Sequence, residues 1–141
     1  MHPAEGEQSV ADTNAILVEI APGELIDKIT ILEIKDERIA DAAKRANVRV
    51  ELDTLNTARA AAVAPSADLD RLTADLKAVN QALWDIEDDI RDCERNRDFG
   101  PRFVELARSV YVQNDKRAAL KRAINELLGS RLVEEKSYAA Y

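Results

Sequence analysis

The apolar positions of this chain fall into four stretches with helical spacing, separated by short breaks of proline, glycine and small polar residues. The third stretch carries the strongest pattern. Leu72, Leu76, Val79, Leu83, Ile86 and Ile90 recur at alternating four- and three-residue steps. That is the seam of antiparallel or coiled-coil-like packing, in a helix capped by Ser66 or Asp68 and running to about Glu94. Asp98-Phe99-Gly100-Pro101 ends it, and a fourth helix follows from Pro101 to about Leu128, closed by Gly129-Ser130. The short connection predicts that helices three and four lie antiparallel, each about 40 Å long.

The first helix is expected from about Glu24 to Ile39. Leu25, Ile26, Ile29 and Leu32 form one face while Ile31 and Ile34 point the other way, so it is apolar nearly all round and should be central. A strand over residues 29–34 is the alternative. Asp41 caps a second helix reaching about Val63, with Val48, Leu52, Leu55, Ala58 and Ala62 facing inward. With no glycine or proline between them, the first two helices could also be one long bent helix. Ala64-Pro65-Ser66 is the clearest break in the middle of the chain. Ahead of the helices, Ile16-Leu17-Val18-Glu19-Ile20 is β-prone and predicts a short N-terminal strand ended by Ala21-Pro22-Gly23. Such a strand needs a partner, either Arg131-Leu132-Val133 or the same strand of a second subunit. The expected fold is therefore all-α: antiparallel helical hairpins forming a bundle, with a short N-terminal β-strand. It occupies a single domain over residues 15–141, behind a flexible tail of residues 1–14. Helices of this length expose more apolar edge than one small chain can cover, which predicts a homo-oligomer.

Composition then removes functions. The 141 residues carry 20 basic and 27 acidic side chains, a net charge of −7, which argues against a broad phosphate-binding surface and against nucleic acid as a partner. A single cysteine, Cys93, excludes an internal disulfide, and with His2 as the sole histidine, zinc sites and serine-type triads lack their residues. Residues 1–14, with Glu5, Glu7 and Asp12, do not resemble a secretory signal, and no apolar run approaches the ~20 residues of a membrane span. A soluble, cytoplasmic protein without membrane contact is expected.

The informative positions are polar residues where apolar ones belong. On a helical wheel Phe103, Leu106, Val110, Ile124 and Leu128 define the buried side of helix four, and Gln113, Asn114, Arg117 and Lys121 fall within the same sector. Each buried polar group left unpaired costs about 1–3 kcal/mol, so these need partners. Helix three offers Glu87 and Glu94 beside its seam, with Asn80, Trp84 and Arg91 continuing the flank, and helix one offers Glu33 and Asp36. A hairpin turning near residue 99 brings Glu87 level with Tyr111 to Asn114.

The bland reading is a polar layer in which Glu33, Glu87, Asn114, Arg117 and Lys121 satisfy one another and fix register. The functional reading is a pocket for an anionic small molecule. Arg117, Lys121 and Arg91 would hold a phosphate or carboxylate while Asn80, Tyr111 and Asn114 supply directional hydrogen bonds. A third reading places Mg²⁺ or manganese on Glu33, Glu87 and Asp115, since carboxylates without histidine suit hard cations. Trp84 is read first as packing and second as a surface on which a ring could stack. Asp88 and Asp92 point away from the seam and belong to the solvated face. Cys93, among acids, is a poor nucleophile.

Four motifs carry a resemblance: Pro22-Gly23-Glu24-Leu25-x-Asp27-Lys28-Ile29-Thr30-Ile31-Leu32-Glu33-Ile34-Lys35; Asn80-x-x-Leu83-Trp84-x-x-Glu87-Asp88-x-x-Arg91; Val110-Tyr111-x-x-Asn114-Asp115-x-Arg117-Ala118-x-x-Lys121; and Glu134-Glu135-Lys136-Ser137-Tyr138. Together they resemble an uncharacterised bacterial family of small helical proteins over nearly all of residues 17–141. The resemblance implies no activity. Ala21 and Ala42 depart from the serine and proline expected there. A looser similarity to the all-α nucleoside triphosphate pyrophosphatases lacks their Glu-Glu-x-x-Glu and Glu-x-x-Asp motifs. The expected function is a non-enzymatic cytoplasmic binding or scaffold protein, with an anionic small molecule or a protein as partner and no catalytic residue or cofactor. A magnesium-dependent nucleotide phosphohydrolase is the alternative.

Overall fold

The computed structural model describes residues 14–133 and 135–141. Nearly all of the tail expected over residues 1–14, with His2, lies outside the described residues, as does Glu134 of the last motif. Four helices follow in order: α1 (Pro22–Arg38), α2 (Ala42–Ala62), α3 (Ala67–Arg95) and α4 (Pro101–Leu127). Their ends obey local chemistry. Pro22 and Pro101 start α1 and α4, where a missing N–H costs nothing. Asp41 Oδ1 accepts from the backbone N–H of Ala43 and Lys44 at 2.9 and 3.1 Å, and Ser66 Oγ accepts from that of Leu69 at 3.1 Å. After α4, Gly129 takes a left-handed φ of 65° while the Ser130 N–H reaches back to Asn125 O at 2.9 Å, a glycine-dependent helix stop.

Helix α1 is central. It packs against each of the other three helices, and α2 packs against α1 alone. α3 and α4 form the antiparallel hairpin that the five-residue connection predicts. Ile26 of α1, Leu69 and Leu76 of α3 and Ile124 of α4 make the fully buried cluster that joins three helices. The seam of α3 points into this contact, yet only Leu76 is fully buried and Val79, Leu83 and Ile86 remain half-exposed. A bundle this thin covers one side of the seam and leaves its margin open as clefts.

Two expectations are corrected, and two alternatives are set aside. No strand occurs among the described residues, and residues 15–20 carry no ladder. An extended segment becomes a strand only with a paired neighbour, and here Ile16, Leu17 and Val18 are 87%, 75% and 71% exposed while the Arg131 side chain meets Glu19 by an ion pair instead of a backbone ladder. Residues 29–34 are helical, and α1 and α2 are separate, because Ile39 turns extended and Asp41 recaps the chain. Ala58 and Ala62 are exposed rather than inward-facing. In a hairpin turning near residue 40 Ala58 lies level with the first residue of α1 and Ala62 beyond its start, where there is no helix to cover them.

Candidate functional site

The site grows from one residue that breaks the apolar character of α1. Gly23, Asp27, Thr30 and Ile34 follow one another at four- and three-residue steps, and all four are buried. Asp27 is 1% exposed. A carboxylate in that position must be met by charge, and Arg117 of α4 meets it with both arms: Nε donates to Oδ1 at 2.9 Å and Nη2 to Oδ2 at 2.5 Å. Asn80 of α3 donates through Nδ2 to Asp27 Oδ1 and to Thr30 Oγ1, both at 2.9 Å, and Thr30 Oγ1 donates to the Asp27 carbonyl at 2.8 Å. One buried acid thus joins α1, α3 and α4 through directional bonds, so none of the three can rotate or slide without breaking one.

One turn further along α4, the Lys121 ammonium, its side chain 8% exposed, lies 2.7 Å from Glu24 Oε2. A turn beyond that, Gly23 N–H donates to Asn125 Oδ1 at 2.7 Å. Glycine is required there for space rather than for backbone freedom. A Cβ at residue 23 would stand 2.4 Å from Lys121 O and 2.8 Å from Asn125 Oδ1. Gly23 therefore sets how closely α1 and α4 approach, and with it the position of Arg117 and Lys121.

Two clefts open beside this network and share Asn114 and Arg117 as a common wall. The first, of about 530 Å³, lies between α4 and the C-terminal segment and is lined by Asn114, Arg117 and Lys121 together with Glu135, Lys136, Ser137 and Tyr138. The second, of about 580 Å³, lies where α1, α3 and α4 diverge. Its walls combine Ile31, Leu83 and Val110 with Trp84, and Asn80, Asn114 and Arg117 supply polar groups. Six of the eight polar-layer positions read from the sequence, namely Asn80, Trp84, Glu87, Arg91, Asn114 and Arg117, line this second cleft. Lys121 joins Asn114 and Arg117 in the first. Tyr111 faces neither: it is 41% exposed and meets Tyr141 edge to face, ring centres 4.9 Å apart.

The partners differ from those expected. The acids that meet Arg117 and Lys121 are Asp27 and Glu24, not Glu33 and Glu87. Glu87 pairs with Arg91 one turn along its own helix at 2.9 Å, both side chains being more than half exposed. Asn114 is exposed, on the rim. Glu33 stands 3.6 Å from Lys77, which also binds Glu37 at 2.8 Å. That hydrogen bond to Glu37 raises the Lys77 pKa above its ordinary 10.5 against the lowering by burial, and the charges of Glu33 and Glu37 add smaller contributions upward. Asp115 pairs with Lys136. Glu33, Glu87 and Asp115 are thus held by three different cations, and no group of three metal-ligating side chains gathers among the described residues.

Sequence reasoning missed Asp27, Thr30, Gly23 and Asn125. One signal was available: on a helical wheel Asp27 falls beside Ile31 and Ile34, an apolar sector in which a carboxylate needs a partner. Gly23 and Asn125 gave no such signal, since their contact spans 102 residues.

A family model described as a family of unknown function (DUF6165) matches residues 16–141, and the chain belongs to that family. No curated protein and no solved structure matches it.

Proposed function

We propose that this member of a family without an assigned activity is a non-enzymatic binding protein of the bacterial cytoplasm that holds an anionic small molecule between α4 and the C-terminal segment. One observation carries the reading. Arg117, Lys121 and Lys136 line a single cleft with one carboxylate, Glu135, which pairs with Arg122, whereas Asp27, Glu24 and Asp115, the acids that meet the three cations, are not among its lining residues. Asp27 and Glu24 fix the positions of Arg117 and Lys121 from outside the cleft, and Asn114 and Ser137 add directional donors and acceptors to its wall. Preorganisation of this kind reduces the conformational cost of capturing an anion. Lys121, nearly removed from water, gives the charge most weight because screening is weakest there.

The test is thermal melting in inorganic phosphate, sulfate and citrate against sodium chloride of equal ionic strength. A bound anion raises stability by RT ln(1 + [L]/Kd), about 2.7 kcal/mol at a hundredfold excess over Kd. Lys136→Met, on the exposed segment, is expected to reduce the shift without altering the helical content. Melts that coincide with the chloride control for all three anions would overturn the reading. Self-association belongs to the same proposal: α2 has no buried residue and packs only on α1, and Val50 is 69% exposed. Sedimentation equilibrium giving a monomer at every concentration would refute it.

A further inference from the structure

We infer that the anion this protein holds carries a planar ring, and that the ring enters the second cleft and lies against Trp84. The inference rests on the anion reading above and adds the class of ligand: a ring-bearing phosphate or carboxylate such as a nucleoside monophosphate. The shared wall is the first reason. Asn114 and Arg117 line both clefts, so a molecule whose charge sits by Lys121 and Lys136 has the second cleft on the other side of those two side chains.

The second reason is the chemistry of the walls. The first cleft offers three cations, one carboxylate and the hydroxyls of Ser137 and Tyr138. The second sets Ile31, Leu83, Val110 and the indole of Trp84 among two acids, Glu87 and Asp88, and two cations, Arg91 and Arg117, so its apolar face suits an uncharged ring better than a second anionic group. Trp84 is the sole tryptophan of the chain and is half-buried, so part of its surface is open to a ligand. The third reason distinguishes a heterocycle from an alkyl chain. Two side-chain amides, Asn80 and Asn114, border the apolar surface. Asn80 Nδ2 is committed to Asp27 and Thr30, so what this residue can still present to a ligand is its carbonyl oxygen, an acceptor for an N–H on a ring edge. An alkyl chain would leave that acceptor unmatched.

The sole tryptophan makes the experiment direct. The full chain is titrated with inorganic phosphate, AMP and adenosine, following Trp84 emission and the melting temperature in parallel. The expected result is that AMP quenches Trp84 and binds about 10- to 100-fold tighter than phosphate, the increment a stacked base supplies. Phosphate is expected to shift the melt while leaving Trp84 emission as it is in buffer. Trp84→Leu should bring the AMP-to-phosphate affinity ratio down to about one. If phosphate shifts the melt but AMP binds no tighter and leaves Trp84 emission constant, the ring assignment fails and the anion reading survives. If neither phosphate nor AMP shifts the melt, the anion reading itself fails and takes this inference with it. Quenching by adenosine equal to that by AMP, without a phosphate shift, would likewise overturn both.

Discussion

Replacing Arg117 with methionine leaves the Asp27 carboxylate buried without the group that meets both of its oxygens. Asp27 is 1% exposed, so water cannot take over the role of the guanidinium without opening the contact between α1 and α4. Removing one partner of such a pair costs about 3–5 kcal/mol, much more than the pair contributes relative to an apolar replacement of both members. Asn80 still donates one bond to Asp27 Oδ1, which places the expected cost toward the lower end. At an m-value of about 2 kcal/mol per molar in urea, that lowers the unfolding midpoint by about 1.5–2 M. The reciprocal change, Asp27→Asn, is expected to cost less, about 1.5–3 kcal/mol. Arg117 keeps nearly a third of its side-chain surface in water and can rehydrate. The double variant Asp27→Leu, Arg117→Met removes both charges and is expected to be more stable than Arg117→Met alone. Urea unfolding followed by circular dichroism measures all four proteins. An Arg117→Met variant within about 1 kcal/mol of the parent, or one more stable than Asp27→Asn, would refute the reasoning, because both require Asp27 to be accessible to water.

Other outcomes follow from single contacts. Gly23→Ala places a methyl 2.4 Å from Lys121 O and should cost about 1–3 kcal/mol in urea unfolding, since the opposing atom is backbone and cannot swing away. Asn125→Ala should also destabilise, by about 1–3 kcal/mol, by stranding the buried Gly23 N–H. The raised pKa of Lys77 stabilises the fold at pH values below 10.5 and that contribution is lost as pH rises through the folded value. Lys77→Met should therefore differ from the parent by at most about 1 kcal/mol at pH 7, the pair being partly exposed, and the difference should shrink as pH rises above 10.5 and vanish only beyond the folded pKa. Ending the chain after Glu134 removes Lys136 and Ser137 from the first cleft and breaks the Tyr111–Tyr141 contact. Helical content should persist while the phosphate-dependent melting shift is lost; a shift of undiminished size would place the anion elsewhere.

Much of the helical architecture was legible in the chain itself. Asp41, Ser66, Pro101 and Gly129 act at short range, through hydrogen bonds to the next turn or through a fixed φ, so their positions announce the helix ends. The four- and three-residue steps of α3, and the all-round apolar character of α1, likewise announce the seam and the central helix. The identity of two polar members of the site, Arg117 and Lys121, was also readable, because they interrupt an apolar sector of α4. Their counterparts were decided by tertiary structure. Asp27 lies 90 residues from Arg117, and which acid meets which cation depends on how far α1 slides along α4, a distance set by the missing side chain of Gly23. The N-terminal run Ile16–Ile20 has strand propensity, yet a strand exists only where a neighbour lies parallel at hydrogen-bonding distance, and this arrangement of helices offers none among the described residues. Local chemistry acts within a turn and can be read along one dimension; the pairing of buried charge and the opening of clefts depend on how whole helices approach, which no single segment contains.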